Sequence, residues 1–443
     1  MKTVPAFGFP LSPGLKGNKP RILQSQIRSA AEIWETVHSD PCPADRWLSR
    51  YFRRFRKKFG SRDRRFLAET VYALFRHKIF LEAWAGHLRK FRDFEWLALS
   101  AAACEQIIPR QDFENGASGL IPGEDPGKIY DCLSQRILPP AIRPASVEEE
   151  IALKFSFPLW LVRRWSSSFG IEKTKSLLSA MQKRPPLVIR ANPIKISRRE
   201  LLKRFTRRGL EAEPTAESPY GIIFKERLHL SDSEEFRGGF FEIQDEASQI
   251  AAAKVDPQPG EVIWDVCAGG GGKSLMFAAL MKNRGRIIAT DIRAAKLKEL
   301  KKRAKRAGAH NIFPADLSGV SGIREAKKGI DKIVVDAPCS GTGTLRRNPD
   351  AKWKLTEKKF QAFHEEQVRI VEKSLALLKK GGRLYYMTCS IEPPENEQVV
   401  EEILRRHPEI GKVPVSGSGD GYLRLWPDEH ETDGFFLAAV EKA

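Results

Sequence analysis

The chain of 443 residues is long enough for two or three domains, and its 41% hydrophobic content can fill their cores. A formal net charge of +19 favours a polyanionic partner, and no apolar run approaches the roughly 20 residues of a membrane-spanning helix. The Pro- and Gly-rich N-terminus lacks the apolar core of a signal peptide. These features exclude an integral membrane protein and predict a cytosolic protein that binds nucleic acid rather than a membrane.

The cysteine pattern argues against metal sites and disulfides. None of the six cysteines forms a Cys-x-x-Cys pair, and the eight histidines show no ligand-like spacing beside them. A disulfide framework is not expected in a cytosolic chain of this size. We therefore expect no bound metal, and we interpret Cys42, Cys104 and Cys132 as small buried hydrophobic residues.

The N-terminal third is predicted to be helical and basic. Residues 1–20 are predicted to form a flexible arm, and apolar residues then recur at three- and four-residue steps, as in a helical domain over 21–146. Within this domain, 111–146 is rich in Gly, Pro and acidic residues, which predicts a loop-rich insert. The basic run Arg53–Lys58 can be either a solvated helix face or a contact for RNA.

A smaller α+β module is predicted over 147–243. Helical periodicity covers 151–181, and Ser197 is placed to cap a helix that reaches Gly209. The sequence shows no internal repeat. Short strands are predicted at 187–192, 222–224 and 240–243.

Strands and helices alternate over 244–443, as in a parallel sheet with helices on both faces. A long helix in this α/β domain is predicted to begin at Thr356, run to Leu378 and be closed by Gly381 and Gly382. The predicted strands cover 262–266, 286–290, 311–313, 333–335 and 383–387, and a basic helix covers 294–307.

Polar residues follow four successive strands of this domain. The first strand leads into the glycine loop Cys267–Ser274, whose spacing does not match a phosphate-binding P-loop. Asp291 ends the second strand, where a carboxylate suits the hydroxyls of a ribose, and Asp316 after the third could meet an adenine amino group. Each Asp alone could be a helix cap or a turn residue. With Asp336 after the fourth strand, the repetition predicts a binding site at one edge of the sheet.

Two cysteines suggest what this site does. Cys339 lies in the loop that begins with Asp336, and Cys389 follows the next strand. A thiolate is a strong nucleophile once its pKa is lowered, and its addition to carbon 6 of a pyrimidine makes carbon 5 able to attack a methyl donor. Loss of the carbon-5 proton and expulsion of the thiolate complete the cycle. The scheme needs one nucleophilic Cys, an acid near ring nitrogen 3 and help with elimination, and these residue types are present.

Several segments resemble the Sun family of RNA cytosine-5 methyltransferases, with the small-subunit (16S) ribosomal RNA enzymes as the nearest type. The resemblance lies in Asp336–Gly343, Arg346–Trp353 and Thr388–Ser390. It extends to Gln244–Ser248 and Asp433–Phe436. It implies a multidomain enzyme that forms 5-methylcytidine through a covalent cysteine–cytosine adduct, with S-adenosylmethionine as cofactor.

The resemblance also implies the fold of each domain. Residues 244–443 would have the Rossmann-like α/β fold of S-adenosylmethionine-dependent methyltransferases. The helical domain at 21–146 would be a NusB-like RNA-binding domain, and the module at 147–243 would also bind RNA. The insert at 111–146 and the arm at 1–20 fall outside the resemblance, and nothing demands more than a monomer.

Position by position, the resemblance implies that Cys389 is the attacking thiolate and that Cys339 assists product release. Asp336 would contact the cofactor and also face the target base. The other residues implied to hold the cofactor are Cys267, Ala268, Gly269, Gly270, Gly271, Gly272, Lys273, Asp291 and Asp316.

The glycine loop departs from the family pattern, which reads Cys-Ala-Ala-Pro-Gly-Gly-Lys. Here Gly269 and Gly270 replace the second Ala and the Pro. Each added glycine raises the entropic cost of ordering the loop by about 1 kcal/mol. The sequence therefore predicts weakened cofactor binding.

Three alternatives remain open. DNA cytosine-5 methyltransferases carry a Pro-Cys pair after the fourth strand, so Cys339 could be the nucleophile and Cys389 a core residue. The RNA substrate could be transfer RNA or another RNA instead of ribosomal RNA. A non-catalytic RNA-binding assembly factor is supported only by the altered glycine loop. A small-molecule methyltransferase would need neither the charge of +19 nor two accessory domains.

Overall fold

The computed structural model describes residues 24–90, 93–226, 228–415 and 419–443. The predicted arm at 1–20 lies outside these ranges. The chain divides into two compact units. The first comprises the described residues up to Gln182 together with Arg347–Lys354, and the second comprises Lys183–Arg346 and Leu355–Ala443. Within the described ranges, no helix is both long and apolar enough to cross a membrane.

Helices are labelled along the chain. They are α1 (Gln24–Val37), α2 (Ala44–Arg54), α3 (Ser61–His87), α4 (Phe94–Cys104), α5 (Arg110–Ala117), α6 (Pro126–Gln135), α7 (Val147–Phe155), α8 (Leu159–Phe169), α9 (Ile171–Gln182), α10 (Arg198–Arg207), α11 (Glu234–Arg237), α12 (Glu246–Lys254), α13 (Gly272–Leu280), α14 (Ala294–Ala307), α15 (Arg324–Lys327), α16 (Ala351–Lys354), α17 (Glu357–Leu375) and α18 (Glu397–Arg406).

Strands are labelled in the same way. They are β1 (Leu187–Ala191), β2 (Ala212–Pro214), β3 (Gly221–Phe224), β4 (Phe241–Ile243), β5 (Val262–Asp265), β6 (Arg286–Ala289), β7 (Ile312–Pro314), β8 (Ile330–Asp336), β9 (Leu378–Thr388), β10 (Ile410–Val413), β11 (Leu423–Leu425) and β12 (Phe435–Lys442).

The first unit is helical, as predicted. Its core is aromatic, and the rings of Trp34 on α1 and Phe75 on α3 meet edge to face with centroids 4.8 Å apart. Asp93 begins α4, because its Oδ1 accepts a hydrogen bond from the Trp96 N–H at 2.9 Å. Such a cap satisfies a backbone donor that the first turn of a helix leaves without a partner.

A short segment from later in the chain completes this helical unit. The side chain of Asp350 accepts a hydrogen bond from the Ala44 N–H at 3.0 Å. The buried Lys352 donates its Nζ to the Arg76 carbonyl at 3.0 Å, and Trp353 donates its Nε1 to the Phe75 carbonyl at 2.8 Å. The segment 347–354 is therefore structural in the first unit.

The predicted loop-rich insert at 111–146 is wrong, because α5 and α6 lie in this region. Phe113 on α5 and Leu133 on α6 are fully buried in the helical core. Asp125 begins α6 by accepting hydrogen bonds from the Gly127 and Lys128 N–H groups. The Gly, Pro and acidic residues that suggested a loop mark the ends of short helices instead.

The helices α7, α8 and α9 lie between the predicted boundary near 146 and the first strand of the α+β module. They are part of the first compact unit, which ends at Gln182. The module that follows is a four-stranded antiparallel sheet in the order β2-β3-β1-β4. Helix α10 packs on it through the buried Leu201 and Phe205, and Ser197 caps this helix as predicted.

The C-terminal part of the second unit contains an eight-stranded mixed sheet, and all five strands predicted there are confirmed. The strand order is β10-β12-β9-β8-β5-β6-β7, with β11 paired to β12. Strands β9, β8, β5, β6 and β7 are parallel, whereas β12 is antiparallel to β9. Helices α12, α13 and α14 cover one face, and α17 and α18 cover the other. The carboxyl ends of the parallel strands therefore meet at one edge.

The predicted end of the long helix is wrong. Helix α17 ends at Leu375, and Gly381 and Gly382 lie within β9. The pairing of β8 with β9 is irregular between Leu378 and Arg383, and Gly381 has a φ of +68° there. The two glycines serve a bulge in the strand, where an L side chain would be strained.

Candidate active site

A cavity of about 1410 Å³ lies at the carboxyl ends of β5, β6 and β8. The second unit supplies its whole lining, and nearly all predicted site residues take part. Those that line it are Cys267, Ala268, Gly269, Gly270, Gly272, Lys273, Asp291, Asp316, Asp336, Cys339 and Cys389.

Gly271 is the predicted site residue that does not line the cavity. It has a φ of +84° and immediately precedes α13. A Cβ atom at this position would lie 2.7 Å from Cγ of Leu300, a buried residue of α14. A residue with a side chain would be strained in this backbone conformation and would collide with Leu300. Glycine at position 271 therefore allows the loop to pass close to α14.

Asp291 is held by the glycine loop and by its own neighbours. Its Oδ2 accepts a hydrogen bond from the Gly269 N–H at 3.0 Å, and its Oδ1 accepts one from the Arg293 N–H at 2.8 Å. Burial alone would raise the pKa of Asp291, but the hydrogen bonds and the charge of Arg293 outweigh burial and lower it. The carboxylate is therefore ionised, which leaves both of its oxygens able to accept hydrogen bonds.

Asp265 is a cavity residue that the sequence prediction missed. It ends β5 and is almost fully buried, and its Oδ2 accepts a hydrogen bond from Ser274 Oγ at 2.5 Å. Its buried Oδ1 has no hydrogen-bond partner among the described residues. Burial raises the pKa of Asp265 to about 7, and the neighbouring charge of Asp336 adds to this effect. Asp265 ends a strand, as Asp291 does, and this position was the sequence signal that could have identified it as a site residue.

Lys273 and Asp336 form an ion pair at the cavity. The first turn of α13 carries Lys273, and the end of β8 carries Asp336. The Lys273 Nζ and Asp336 Oδ2 atoms are 2.7 Å apart, and the Lys273 side chain is 9% exposed. The ammonium group also lies 4.9 Å from the ring centroid of Phe435. A buried cation with two such partners can fix the carboxylate of Asp336 in one position.

The two cysteines come together because β8 and β9 are parallel neighbours. Asp336 at the end of β8 is paired with Met387 near the end of β9, so the loops that follow start side by side. The Sγ atoms of Cys339 and Cys389 are 3.4 Å apart. The hydrogen bond with Cys389 and burial raise the pKa of Cys339 well above its ordinary value. The Cys339 thiol is thus within reach to donate a hydrogen bond to the sulfur of Cys389.

The environment of the third cavity cysteine, Cys267, does not favour a thiolate. Burial raises its pKa, and the nearby carboxylates of Asp265, Asp336 and Asp291 raise it further. A thiol in this environment stays protonated and is a poor nucleophile. Cys339 and Cys389 differ from Cys267 in that their two sulfur atoms are in contact.

The potential metal ligands over the ranges that the structure describes are His, Cys, Asp and Glu side chains. Within the described part of the chain, no group of three or more His, Cys, Asp or Glu side chains is placed to hold a metal ion. All six cysteines are free of disulfide bonds.

Family models match two parts of the chain. A model described as 16S rRNA methyltransferase RsmB/F matches residues 252–441, which contain the cavity. A model for the ferredoxin-like domain of RsmF/B-like methyltransferases matches residues 157–231, which contain α8 and α9 of the first unit as well as β1, α10, β2 and β3.

Similar proteins are found among curated proteins and solved structures. The probable ribosomal RNA small subunit methyltransferase B of Synechocystis sp. is 33% identical over 310 residues, covering 67% of this chain and 69% of that protein. The 26S rRNA (cytosine-C(5))-methyltransferase nsun-1 of Caenorhabditis elegans is 32% identical over 320 residues, covering 67% and 48%. The crystal structure of PH0851 has a TM-score of 0.75 at 27% identity and covers 95% of this chain and 99% of that one.

These matches agree with the geometry of the cavity. The matched model covers the glycine loop, the strand-end carboxylates, Cys339 and Cys389. The Synechocystis protein exceeds 30% identity over more than two thirds of its own length. The chain therefore belongs to the RsmB/F family of methyltransferases, the Sun family that its motifs had indicated.

Proposed function

We propose that the protein methylates carbon 5 of a cytidine in small-subunit (16S) ribosomal RNA, with S-adenosylmethionine as the methyl donor. The observation that carries this proposal is the pair of sulfur atoms 3.4 Å apart, on a cavity that Asp336 and the glycine loop also line. The Synechocystis relative is named for the small ribosomal subunit, and the nematode relative for carbon 5 of cytosine. We further propose that the enzyme acts in the cytoplasm as a monomer without metal.

The cavity residues fit the proposed cofactor. Asp291 presents an ionised carboxylate for the ribose hydroxyls, and Asp316 lies at the cavity for the adenine amino group. The buried Oδ1 of Asp265 can accept a hydrogen bond from a donor on the ligand. When bound, S-adenosylmethionine supplies an electrophilic methyl group.

The protein side chains do the remaining chemistry. Cys389, as the thiolate, forms a bond to carbon 6 of the base. Ring nitrogen 3 takes up a proton from solvent, and the Asp336 carboxylate holds that proton by accepting a hydrogen bond from it. Carbon 5 then carries the electron density that takes up the methyl group. Solvent water takes up the carbon-5 proton, and the electrons of that C–H bond restore the double bond between carbons 5 and 6 and expel the Cys389 thiolate. Ring nitrogen 3 then returns its proton to solvent. Cys339, whose sulfur contacts that of Cys389, assists this release.

The accessory regions are proposed to bind the RNA. We propose that the helical unit has a NusB-like fold and that the four-stranded module presents α10 to phosphate groups. Arg199, Lys203 and Arg207 are exposed and follow each other at four-residue steps, so they lie on one face of this helix. Exposed cations in such a row suit a phosphate backbone. A base inside a duplex is out of reach of a cavity, so the target cytidine is unstacked before it reacts.

The function is tested by transfer of labelled methyl groups to RNA. The purified full chain is incubated with S-adenosylmethionine and, separately, small-subunit ribosomal RNA, transfer RNA and duplex DNA. We expect label in the ribosomal RNA alone, recovered as 5-methylcytidine after digestion. Label in transfer RNA or DNA instead would overturn the substrate, and no transfer to any RNA would favour a non-catalytic assembly factor.

The structure shows how Gly269 and Gly270 are accommodated in the glycine loop. Gly269 has a φ of +55°, where Gly is not strained. Arg303 on α14 donates its Nη1 to the Gly270 carbonyl at 2.8 Å and pairs with Glu242 at 2.9 Å. A Cβ atom on Gly270 would lie 2.8 Å from that same Nη1. We therefore propose that Arg303 orders the loop in this chain and offsets part of the entropic cost of its glycines.

Gly270→Ala is expected to weaken binding of S-adenosylhomocysteine by about tenfold, or about 1.4 kcal/mol, because Arg303 must leave the loop carbonyl. Calorimetric titration measures this affinity. Gly411→Ala is the matched control, since a Cβ atom there meets nothing within 4 Å. In an Arg303→Met background the same Gly270→Ala change is expected to have little effect. An equal loss in both backgrounds would show that Arg303 does not order the loop.

A further inference from the structure

One fully buried carboxylate joins the two cysteine loops. Glu395 ends a short 3-10 helix that follows β9, and its side chain is 0% exposed. Its Oε1 accepts hydrogen bonds from the Ser340 N–H at 2.8 Å and from Gln367 Nε2 at 3.3 Å. Its Oε2 accepts from the hydroxyl groups of Ser340 and Ser390. Four donors therefore converge on one side chain that the proposed chemistry does not use.

The two serines place this carboxylate next to the reacting groups. Ser340 directly follows Cys339, and Ser390 directly follows Cys389. Thr342 strengthens the link between the loops, because its hydroxyl lies 3.0 Å from that of Ser390 and accepts from the Ile391 N–H at 3.0 Å. The loops are thus held together one residue beyond the two sulfur atoms.

The donors around Glu395 suit a side chain with two acceptor oxygens. The Ser340 N–H and the Gln367 Nε2 group can only donate, so they need an oxygen acceptor. Burial raises the pKa of Glu395 above its ordinary value, and the hydrogen bonds from Ser340 and Ser390 offset only part of that rise. A buried charge is costly unless it is fully hydrogen-bonded, as it is here. Such a network has one low-energy arrangement and therefore fixes the loops that belong to it.

We propose that Glu395 is a positioning residue that sets the spacing of the Cys339 and Cys389 thiols. It touches neither the base nor the cofactor cavity, and it acts through Ser340 and Ser390. The proposal rests on the proposed function for its effect on turnover. Its effect on the distance between the two sulfur atoms can be tested without RNA or cofactor.

The first test measures thiol spacing with phenylarsine oxide. This arsenical binds two neighbouring thiols at once, forming two As–S bonds and releasing one water molecule. Wild type is expected to bind one equivalent of the arsenical, which is measured by intact mass. Cys339→Ala is expected to form no two-thiol complex, because it lacks one of the two thiols. Glu395→Gln is expected to bind at least tenfold more weakly, because the amide nitrogen cannot accept from a serine. Unchanged binding in Glu395→Gln, or no binding in wild type, would overturn the proposal.

The second test separates positioning from general support of the fold. Glu246→Gln is the matched control, since this buried carboxylate accepts from the Glu217 and Ser218 N–H groups, away from the cysteines. We expect Glu395→Gln to lower kcat by about a hundredfold while the affinity for S-adenosylhomocysteine stays within twofold. Glu246→Gln is expected to leave kcat and arsenical binding unchanged. Equal losses in both variants would mean that Glu395 only supports the fold.

Single-serine variants keep the proposal testable if Glu395→Gln does not fold. Ser390→Ala removes the hydroxyl that joins the Cys389 loop to the carboxylate, and Ser340→Ala removes one of the two hydrogen bonds that Ser340 donates to it. Both variants are expected to weaken arsenical binding. If neither does, Glu395 does not set the thiol spacing. If wild type transfers no methyl group to any RNA, the proposed function fails, yet the arsenical measurements still decide the role of Glu395.

Discussion

Replacing Cys389 by Ala is expected to abolish methyl transfer, lowering kcat by about a thousandfold or more. The reason is that carbon 5 cannot attack a methyl donor until a thiolate has added to carbon 6. Cys389 is placed for this step by the end of β9, with its sulfur 3.4 Å from that of Cys339.

Replacing Cys339 by Ala is expected to give a different result, a covalent adduct between protein and RNA. In this variant the bond to carbon 6 still forms, but its release is no longer assisted. The adduct is measured as labelled RNA that migrates with the protein on a denaturing gel. Cys132→Ala, a change in α6 of the helical unit, is the control and should behave as wild type.

The opposite pattern would reassign the two thiols. An active Cys389→Ala variant beside an inactive, adduct-free Cys339→Ala variant would make Cys339 the nucleophile, as in DNA cytosine-5 methyltransferases. Adducts in both variants would show that neither thiol alone is required for attack.

Replacing Arg346 by Met is expected to destabilise the second unit by about 3–5 kcal/mol. Arg346 is 5% exposed, and its Nε lies 2.7 Å from Oδ1 of Asp433. Its Nη2 lies 3.4 Å from Oδ2 of Asp245, and its Nη1 donates to the Glu431 carbonyl at 2.9 Å. Removing the guanidinium leaves two buried carboxylates without the charge that compensates them.

The measurement is the thermal midpoint, for which a loss of this size corresponds to roughly 10 °C. Arg424→Met is the control, since Arg424 also pairs with two carboxylates but is 29% exposed. An ion pair of that kind contributes about 1 kcal/mol or less. Equal shifts in the two variants would show that burial does not set the strength of the Arg346 pairs.

The sequence predicted the site well where strand order alone decides the outcome. Asp291, Asp336, Cys339 and Cys389 each follow an apolar run, and parallel strands bring their ends to one edge. Glu395 was beyond such reasoning, because its partners Ser340 and Gln367 are 55 and 28 residues away. A carboxylate after a Pro-Pro pair has the pattern of a surface turn, and only the packed structure shows that it is buried.

The errors in the fold prediction have a common physical origin. Residues 111–146 contain helix-ending residues at short intervals, and composition alone does not distinguish short helices from a loop. Gly381 and Gly382 have the pattern of a helix terminus, although pairing with β8 makes them part of a bulge. In each case the structure depends on contacts between residues far apart in the sequence, and local sequence patterns contain no information about such contacts.

The segment 347–354 constrains how this protein can be made in the cell. The helical unit is translated first, but Asp350, Lys352 and Trp353 reach it only after most of the second unit has left the ribosome. Until then the Ala44 N–H and the carbonyls of Phe75 and Arg76 lack their hydrogen bonds to this segment. The unit therefore cannot reach its final structure as an autonomous N-terminal folding intermediate. For the same reason, a shortened chain that starts at Lys183 would lack the helices that Trp353 packs against. A chain that ends before Arg347 would have a helical unit without its segment 347–354.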